Sequence, residues 1–284
     1  MITENLVLPF DLGGIVGMLD RNPKCAASYS RKYLFNSKGL TGEVHGGSLS
    51  QFNAFFAPKL NINAMVIRAD VLAAHDWFRP VPNCAINDDV FLMIRLGADC
   101  DYHYDADNPR VLYRVHDKQN SRLFHHEDQN PFRWMAEYMT KQKPDLYARI
   151  LANDPPRLTA ANRKWVLGLM GVGVFLEQKN APLALSIMRK ACEIAPDDYG
   201  AWEQLLRVLA IARQPEKTIQ DAFRSATERF RGKPVDMELQ ITIAYASLFS
   251  IRRRPIPEDV SKRLNELQAI YAKPPKIVLD NLPK

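Results

Sequence analysis

An α/β region followed by an all-α region is the fold class this sequence predicts, and three observations carry it. Residues 1 to about 127 alternate short runs rich in Tyr, Phe, Val and Ile with turn residues and helical patterns. From about 128 onward strand signals stop and the chain becomes rich in Leu and Ala. Asn153-Asp154-Pro155-Pro156 then reads as a linker. These shifts predict four segments: an α/β domain over 1–127, a helical connector and linker over 128–157, an all-α module over 158–272, and a flexible Pro-rich tail over 273–284.

Taken in order, a helical pattern starts at Leu8-Pro9-Phe10-Asp11-Leu12 and runs through Ile15, Val16, Met18 and Leu19, to be stopped by Asn22-Pro23. Ala26 to Phe35 alternates Tyr29, Tyr33 and Phe35 with polar residues and reads as one strand. Asn36-Ser37-Lys38-Gly39 is a turn, and Gly46 to Leu60 a loop carrying Phe52, Phe55 and Phe56. Asn61 to Arg68 reads as a second strand, Ala69 to His75 as a short helix, and Val111 to Val115 as a third strand. Pro131 to Tyr138 and Pro144 to Leu151 are helical, and a further helix runs from Met237 to Ile251. Ala184, Ala191, Pro196, Trp202 and Leu205 have spacings similar to those of a tetratricopeptide unit and the start of its successor. Lys179-Asn180 stands where that repeat has its usual glycine.

Bulk composition narrows the function classes. With 284 residues, 46% of them hydrophobic, the chain can bury a sizeable core. The net charge of +6 suits phosphates, nucleotides or an anionic surface, but no basic and aromatic motif of a nucleic-acid binder is present, so no nucleic-acid partner is expected. The four cysteines, Cys25, Cys84, Cys100 and Cys192, lack CxxC spacing and read as reduced thiols. No signal peptide is visible, and no apolar run nears the ~20 residues of a membrane span. Trp165 to Leu176 comes closest and carries three glycines. The expected location is the cytoplasm, either free or peripheral at a membrane.

The chemistry-bearing stretch is Ile86-Asn87-Asp88-Asp89-Val90-Phe91-Leu92, with Arg95-Leu96-Gly97 after it and Tyr113-Arg114-Val115-His116 further on. Two carboxylates at a helix start can act as a general base and its partner; they also read as an N-terminal cap. Arg114 and His116 alternate with Tyr113 and Val115, so both should point to one face of a strand, where a guanidinium can grip a diphosphate and an imidazole can ligate a metal. Asp105-Ala106-Asp107 has the form Asp-x-Asp but, with Asn108-Pro109 behind it, reads as a turn. His125-His126-Glu127-Asp128 reads as a solvated loop, and Arg252-Arg253-Arg254 as the basic end of a helix.

His75-Asp76-Trp77-Phe78, the acidic pair, Arg95-Leu96-Gly97 and Tyr113-Arg114-Val115-His116 together resemble the acceptor half of a family-2 glycosyltransferase with the GT-A fold, over about residues 1–124. The resemblance makes the expected architecture a partial GT-A-like α/β domain plus a helical-repeat-like, tetratricopeptide-like module. It implies transfer of a sugar from a nucleotide-sugar to a hydroxyl of a glycan, lipid or protein. Asp89 would be the base and Asp88 its partner. Arg114 and Lys118 would hold donor phosphates, Trp77 and Asn63 the acceptor, and His116 a divalent Mn or Mg ion. Asp-Asp departs from the Glu-Asp common in that family.

Nothing before Met1 supplies the nucleotide-holding strands or the metal-binding Asp-x-Asp of such a domain, so the expectation is a domain cut just after that motif, with an open sheet edge. The helical module would recruit the acceptor or a protein partner. The alternative is an interaction protein whose helical repeats bind a partner and whose α/β part is a degenerate, non-catalytic scaffold.

Overall fold

The computed structural model describes residues 6–9, 11–56, 60, 62–76, 88–115 and 131–282. The chain forms two compact units: Met1–Leu49, Pro58–Pro131 and Ala272–Lys284 make the first, and Ser50–Ala57 with Phe132–Tyr271 the second. An α/β region and a helical region are both present, as the sequence predicts.

The first unit contains β1 (Leu6–Val7), α1 (Leu12–Arg21), β2 (Cys25–Ser30), β3 (Lys32–Asn36), β4 (Gly39–His45), β5 (Met65–Ile67), α2 (Ala69–Ala74), α3 (Asp88–Asp99), β6 (Asp101–Asp105) and β7 (Val111–Arg114). Its strands form two sheets, a four-stranded one in the order β1-β7-β3-β4 and a three-stranded one in the order β5-β2-β6. β3 runs parallel to β7, and β2 parallel to β6; the remaining pairs are antiparallel.

The single strand expected over Ala26 to Phe35 is therefore two, broken at Arg31 and divided between the sheets. The cause is non-local. Arg110, 2% exposed, donates its backbone N–H to Ser30 Oγ (3.1 Å) and its guanidinium to Ser28 Oγ (2.9 Å) and the Ala64 carbonyl (3.3 Å). It also forms a 3.1 Å ion pair with Asp105. A buried cation needs such partners to offset its desolvation. Burial lowers the Arg110 pKa, and the Asp105 charge opposes the shift.

Other elements also differ from expectation. Asn61 to Arg68 is not one strand: Ile62–Ala64 is a 3₁₀ turn and only Met65–Ile67 is extended. The helix expected from Leu8 starts at Leu12, because Leu6–Val7 pairs with β7 and Leu8 N–H bonds the Arg110 carbonyl. β4 carries a polar, largely exposed sequence, and β6 alternates Tyr102 and Tyr104 with polar residues over only five positions; pairing with β3 and β2 makes them strands. The tail expected to be flexible forms a helix, Lys276–Asp280. Its Val278 is fully buried with Leu8, Tyr33, Phe35 and Leu112, and Tyr33 Oη donates to the Lys273 carbonyl at 3.1 Å.

The second unit is helical: α4 (Pro131–Gln142), α5 (Pro144–Leu151), α6 (Arg163–Leu176), α7 (Ala181–Ile194), α8 (Tyr199–Ile211), α9 (Glu216–Phe230), α10 (Val235–Ile251) and α11 (Glu258–Ala272); Lys276–Asp280, α12, belongs to the first unit. From α5 to α10 each helix packs on its successor, and α10 also packs on α8. Asn180 caps α7 by accepting Leu183 N–H, with Pro182 in the first turn, where its missing donor costs no hydrogen bond. Ala184 and Ala191 are buried, and Trp202 Nε1 donates to the Pro196 carbonyl at 3.1 Å. No helix among the described residues is long and apolar enough to cross a membrane.

The aromatic loop of the sequence belongs to this unit. Phe55 meets Trp165 and Phe56 stacks on Phe175. The glycines of α6 permit the approach: a Cβ on Gly168 would stand 2.6 Å from the Phe55 ring, and one on Gly171 would strike the Phe52 carbonyl. Asp198, at the start of α8, fastens the loop's other end. Its buried carboxylate accepts Ser50 Oγ (2.6 Å), Gln51 N–H (2.8 Å), Phe52 N–H (3.3 Å) and Ala201 N–H (3.2 Å). Burial raises its pKa against the pull of these donors.

Candidate functional site

The acidic pair opens α3. This helix is apolar along most of its length, with Phe91, Leu92, Met93, Ile94 and Leu96 all buried, so packing fixes its position. Met93 lies in a cluster with Tyr29 and Leu60, against which Val90, Tyr102 and Tyr104 also pack. Tyr102 Oη donates to the Met93 carbonyl at 2.6 Å, and its ring lies where a Cβ on Gly97 would be crowded at 3.1 Å. The Arg95-Leu96-Gly97 signature thus has a packing role: Gly97 admits the tyrosine that pins the helix.

Asp89 is the second residue of α3, half-buried, and its Oδ1 accepts Val90 N–H at 2.8 Å. A helix start attracts negative charge at this position. Its charge acts on a residue that the sequence did not single out. Lys32, the first residue of β3, is only 9% exposed, and its Nζ sits 4.1 Å from the centre of the Tyr113 ring. Burial lowers the Lys32 pKa, and the charge of Asp89 acts in the opposite sense. His45 stands opposite Lys32 in the β3–β4 ladder. Its pKa is lowered by desolvation and by the Lys32 charge, with Glu43 opposing. Lys32, Asp89, Tyr113 and His45 therefore form one electrostatic neighbourhood assembled from four elements.

Arg114 ends β7 and is exposed. Tyr33 and Leu112 are in register and share one core cluster, so strand alternation gives Arg114 that face, while Lys32 and Tyr113 take the other. β7 thus turns Tyr113, not Arg114, to the side of the sheet that carries Lys32. Asn63 is exposed in the 3₁₀ turn before β5. Arg68 is structural: it donates to the Leu19 carbonyl at 3.2 Å and pairs with Asp70 at 3.5 Å. Asp88 is the first residue of α3. Trp77, His116, Lys118 and the His125-His126 pair lie outside the described residues.

Asp105 accepts Asn108 N–H and pairs with Arg110, consistent with a turn. Arg252 donates to the Gln214 carbonyl at 3.0 Å, and Arg254 pairs with Glu216 at 2.6 Å, so both hold the end of α10. A cleft of about 260 Å³ lies beside α1, lined by Asp11, Ile15, Ser28, His103 and Asp105. Among the described residues no group of three or more His, Cys, Asp or Glu is placed to hold a metal ion. Among the described residues, Cys25, Cys100 and Cys192 form no disulfide.

Searched against known proteins, the chain matches no family model, no curated protein and no solved structure.

Proposed function

We propose that the α/β unit transfers a sugar from a nucleotide-sugar to an acceptor hydroxyl, with Asp89 as general base and Asp88 beside it. The reading rests on the resemblance of the Asp88-Asp89, Arg95-Leu96-Gly97 and Tyr113-Arg114-Val115-His116 stretches to the acceptor half of a family-2 glycosyltransferase of GT-A type. The observation that supports it best is Asp89 in the first turn of a packed helix, half-buried beside a lysine charge. A base must be anionic before it can take the hydroxyl proton, and a helix start and a nearby ammonium both favour that state. As the hydroxyl oxygen attacks the anomeric carbon, the carbon–oxygen bond to the donor diphosphate breaks. The proton passes to Asp89, and the diphosphate leaves with the bonding pair. Lys118 and Arg114 belong to the proposal as donor-phosphate contacts, Trp77 and Asn63 as acceptor contacts, and His116 as a metal ligand, all by resemblance.

The test is a screen of the protein isolated from its source cells, so that any further segment or partner is present. It is incubated with a panel of nucleotide-sugars, with Mn²⁺ or Mg²⁺, and an acceptor set of glycans, lipid extracts and peptides. Release of nucleoside diphosphate coupled to labelled acceptor supports the reading. Failure with every donor, in a preparation shown to be folded, overturns it. A second reading is a non-catalytic interaction protein built on tetratricopeptide-like helices. It is favoured by the large apolar side chains left exposed on the helical unit, Ile211, Ile251 and Ile270. Co-purification of one stoichiometric protein partner, without sugar transfer, selects it.

A further inference from the structure

We propose that the cleft beside α1 is a binding site for a small neutral polyol of hexose size. It lies apart from the acidic pair. Tyr29, Tyr102 and Tyr104 gather with Met93 of α3 on one face of the three-stranded sheet. Strand alternation gives Ser28 and His103, partners across β2 and β6, the opposite face, and there they line the cleft together with α1. The inference does not rest on the sugar-transfer reading.

The cleft's volume of about 260 Å³ suits one small ring rather than a drug-sized ligand. Its polar groups divide into those already engaged and those still available. Asp105 is engaged: it pairs with Arg110 at 3.1 Å and accepts from Asn108 Nδ2 at 3.1 Å. Asp11 is available. It precedes α1 without a side-chain cap bond, and among the described residues its carboxylate makes no hydrogen bond or ion pair. A Cβ on Gly14 would strike that carboxylate, so the glycine lets it lie over the first turn. Asn108 gives its amide N–H groups to Asp105 and keeps its Oδ1. At the floor, Ser28 is fully buried and its Oγ accepts from Arg110 at 2.9 Å. Among the described residues no acceptor meets its hydroxyl hydrogen. Ile15 and Met18 supply an apolar wall. This set selects the ligand. A phosphate or carboxylate would meet the unpaired charge of Asp11. An ammonium would suit Asp11 but has no lone pair for the Ser28 hydroxyl. A hydroxyl both donates and accepts, so different hydroxyls of one molecule can donate to Asp11 and Asn108 and accept from Ser28, with its carbons against Ile15 and Met18. His103 at the rim can do either.

The test reads occupancy at the wall. The full chain is labelled with ¹³C-methyl isoleucine and methionine, and the Ile15 and Met18 signals are identified by their loss in Ile15→Val and Met18→Leu. The probes are D-glucose, D-galactose, D-mannose and myo-inositol, with putrescine and inorganic phosphate alongside. At least one polyol is expected to shift both signals saturably, with a Kd on the order of 1 mM, as befits so small a ligand. Asp11→Ala should weaken that binding about tenfold or more. Gly14→Ala should do the same by displacing the carboxylate, while the helix, with alanine for glycine, holds at least as well in thermal denaturation. No saturable shift from any polyol at about 20 mM overturns the proposal. So does a shift from putrescine or phosphate alone, or polyol binding that survives Asp11→Ala unchanged. The donor screen reads product and this titration reads the cleft, so either can fail alone.

Discussion

Asp198 in the helical unit and Lys32 in the α/β unit are both buried ionisable groups, and they are held in opposite ways. Asp198 accepts four hydrogen bonds from the loop it fastens and from its own helix. Lys32 has a ring face and a carboxylate that reaches it through space. Arg110 belongs with Asp198: it is buried, and hydrogen-bonded to β2, to the 3₁₀ turn and to Asp105 of β6. A buried charge with several local hydrogen bonds is architecture, since it ties segments together at sites where water is excluded. Lys32 has no ion pair among the described residues, and burial moves its pKa more than the Asp89 charge restores it. The comparison therefore separates Lys32 from Asp198, Arg110 and Asp105.

The contrast is open to substitution. Arg110→Ala strands Asp105 and removes the joint between the two sheets; a loss of about 4 kcal/mol is expected, read as early amide exchange in β2, β3 and β6 while α6 to α10 stay protected. Asp198→Ala leaves the Ser50, Gln51 and Phe52 donors without their acceptor and should cost about 3 kcal/mol, with exchange rising in residues 50–57 and α8. Gly171→Leu should do comparable harm by the same local readout, because the Phe52 carbonyl occupies the space of any side chain there. Val278→Ala opens the four-stranded sheet's core at one residue and should cost about 2 kcal/mol, confined to β3 and β7.

The smallest effect is expected at Lys32, and its sign differs. Its folded pKa is lowered, so between that value and the ordinary lysine value the unfolded chain binds more protons, and stability rises with pH. Lys32→Met should abolish that rise in denaturation curves taken across the alkaline range. Lys38→Met, at an exposed turn, should keep it.

What the sequence made legible follows the same division. The helices from Pro131 onward, and the helix opening at Asp88, carry their signal in local periodicity and end where Pro or a polar run ends them. Strand membership depends on partners far along the chain. Over Ala26 to Phe35 Arg31 falls out of phase with Tyr29, Tyr33 and Phe35, and one such residue does not say that Ser30 and Lys32 enter different sheets; Arg110, 80 residues from Ser30, decides it. Likewise Phe52, Phe55 and Phe56 announce a buried cluster but not that their docking ground is a glycine stripe in α6. For the proposed site, the place of Asp89 at a helix start was readable because an acidic pair there is a local pattern. Lys32 was not, since a lysine among Arg31, Tyr33 and Phe35 looks like the solvent side of a strand until β4 and β7 cover it. Arg114 was assigned to the right strand, but only the register with β3 shows that it shares a face with Leu112 rather than with Tyr113.

The central claim is that Asp89 takes the proton of an acceptor hydroxyl. Its most direct test is the turnover number of the source-isolated protein on one donor–acceptor pair found by the screen, beside that of Asp89→Asn, which keeps shape and hydrogen-bonding reach but cannot accept the proton. The account predicts a fall in kcat of about 10²-fold or more with little change in donor KM. An Asp89→Asn protein that turns over within a few-fold of wild type would contradict it.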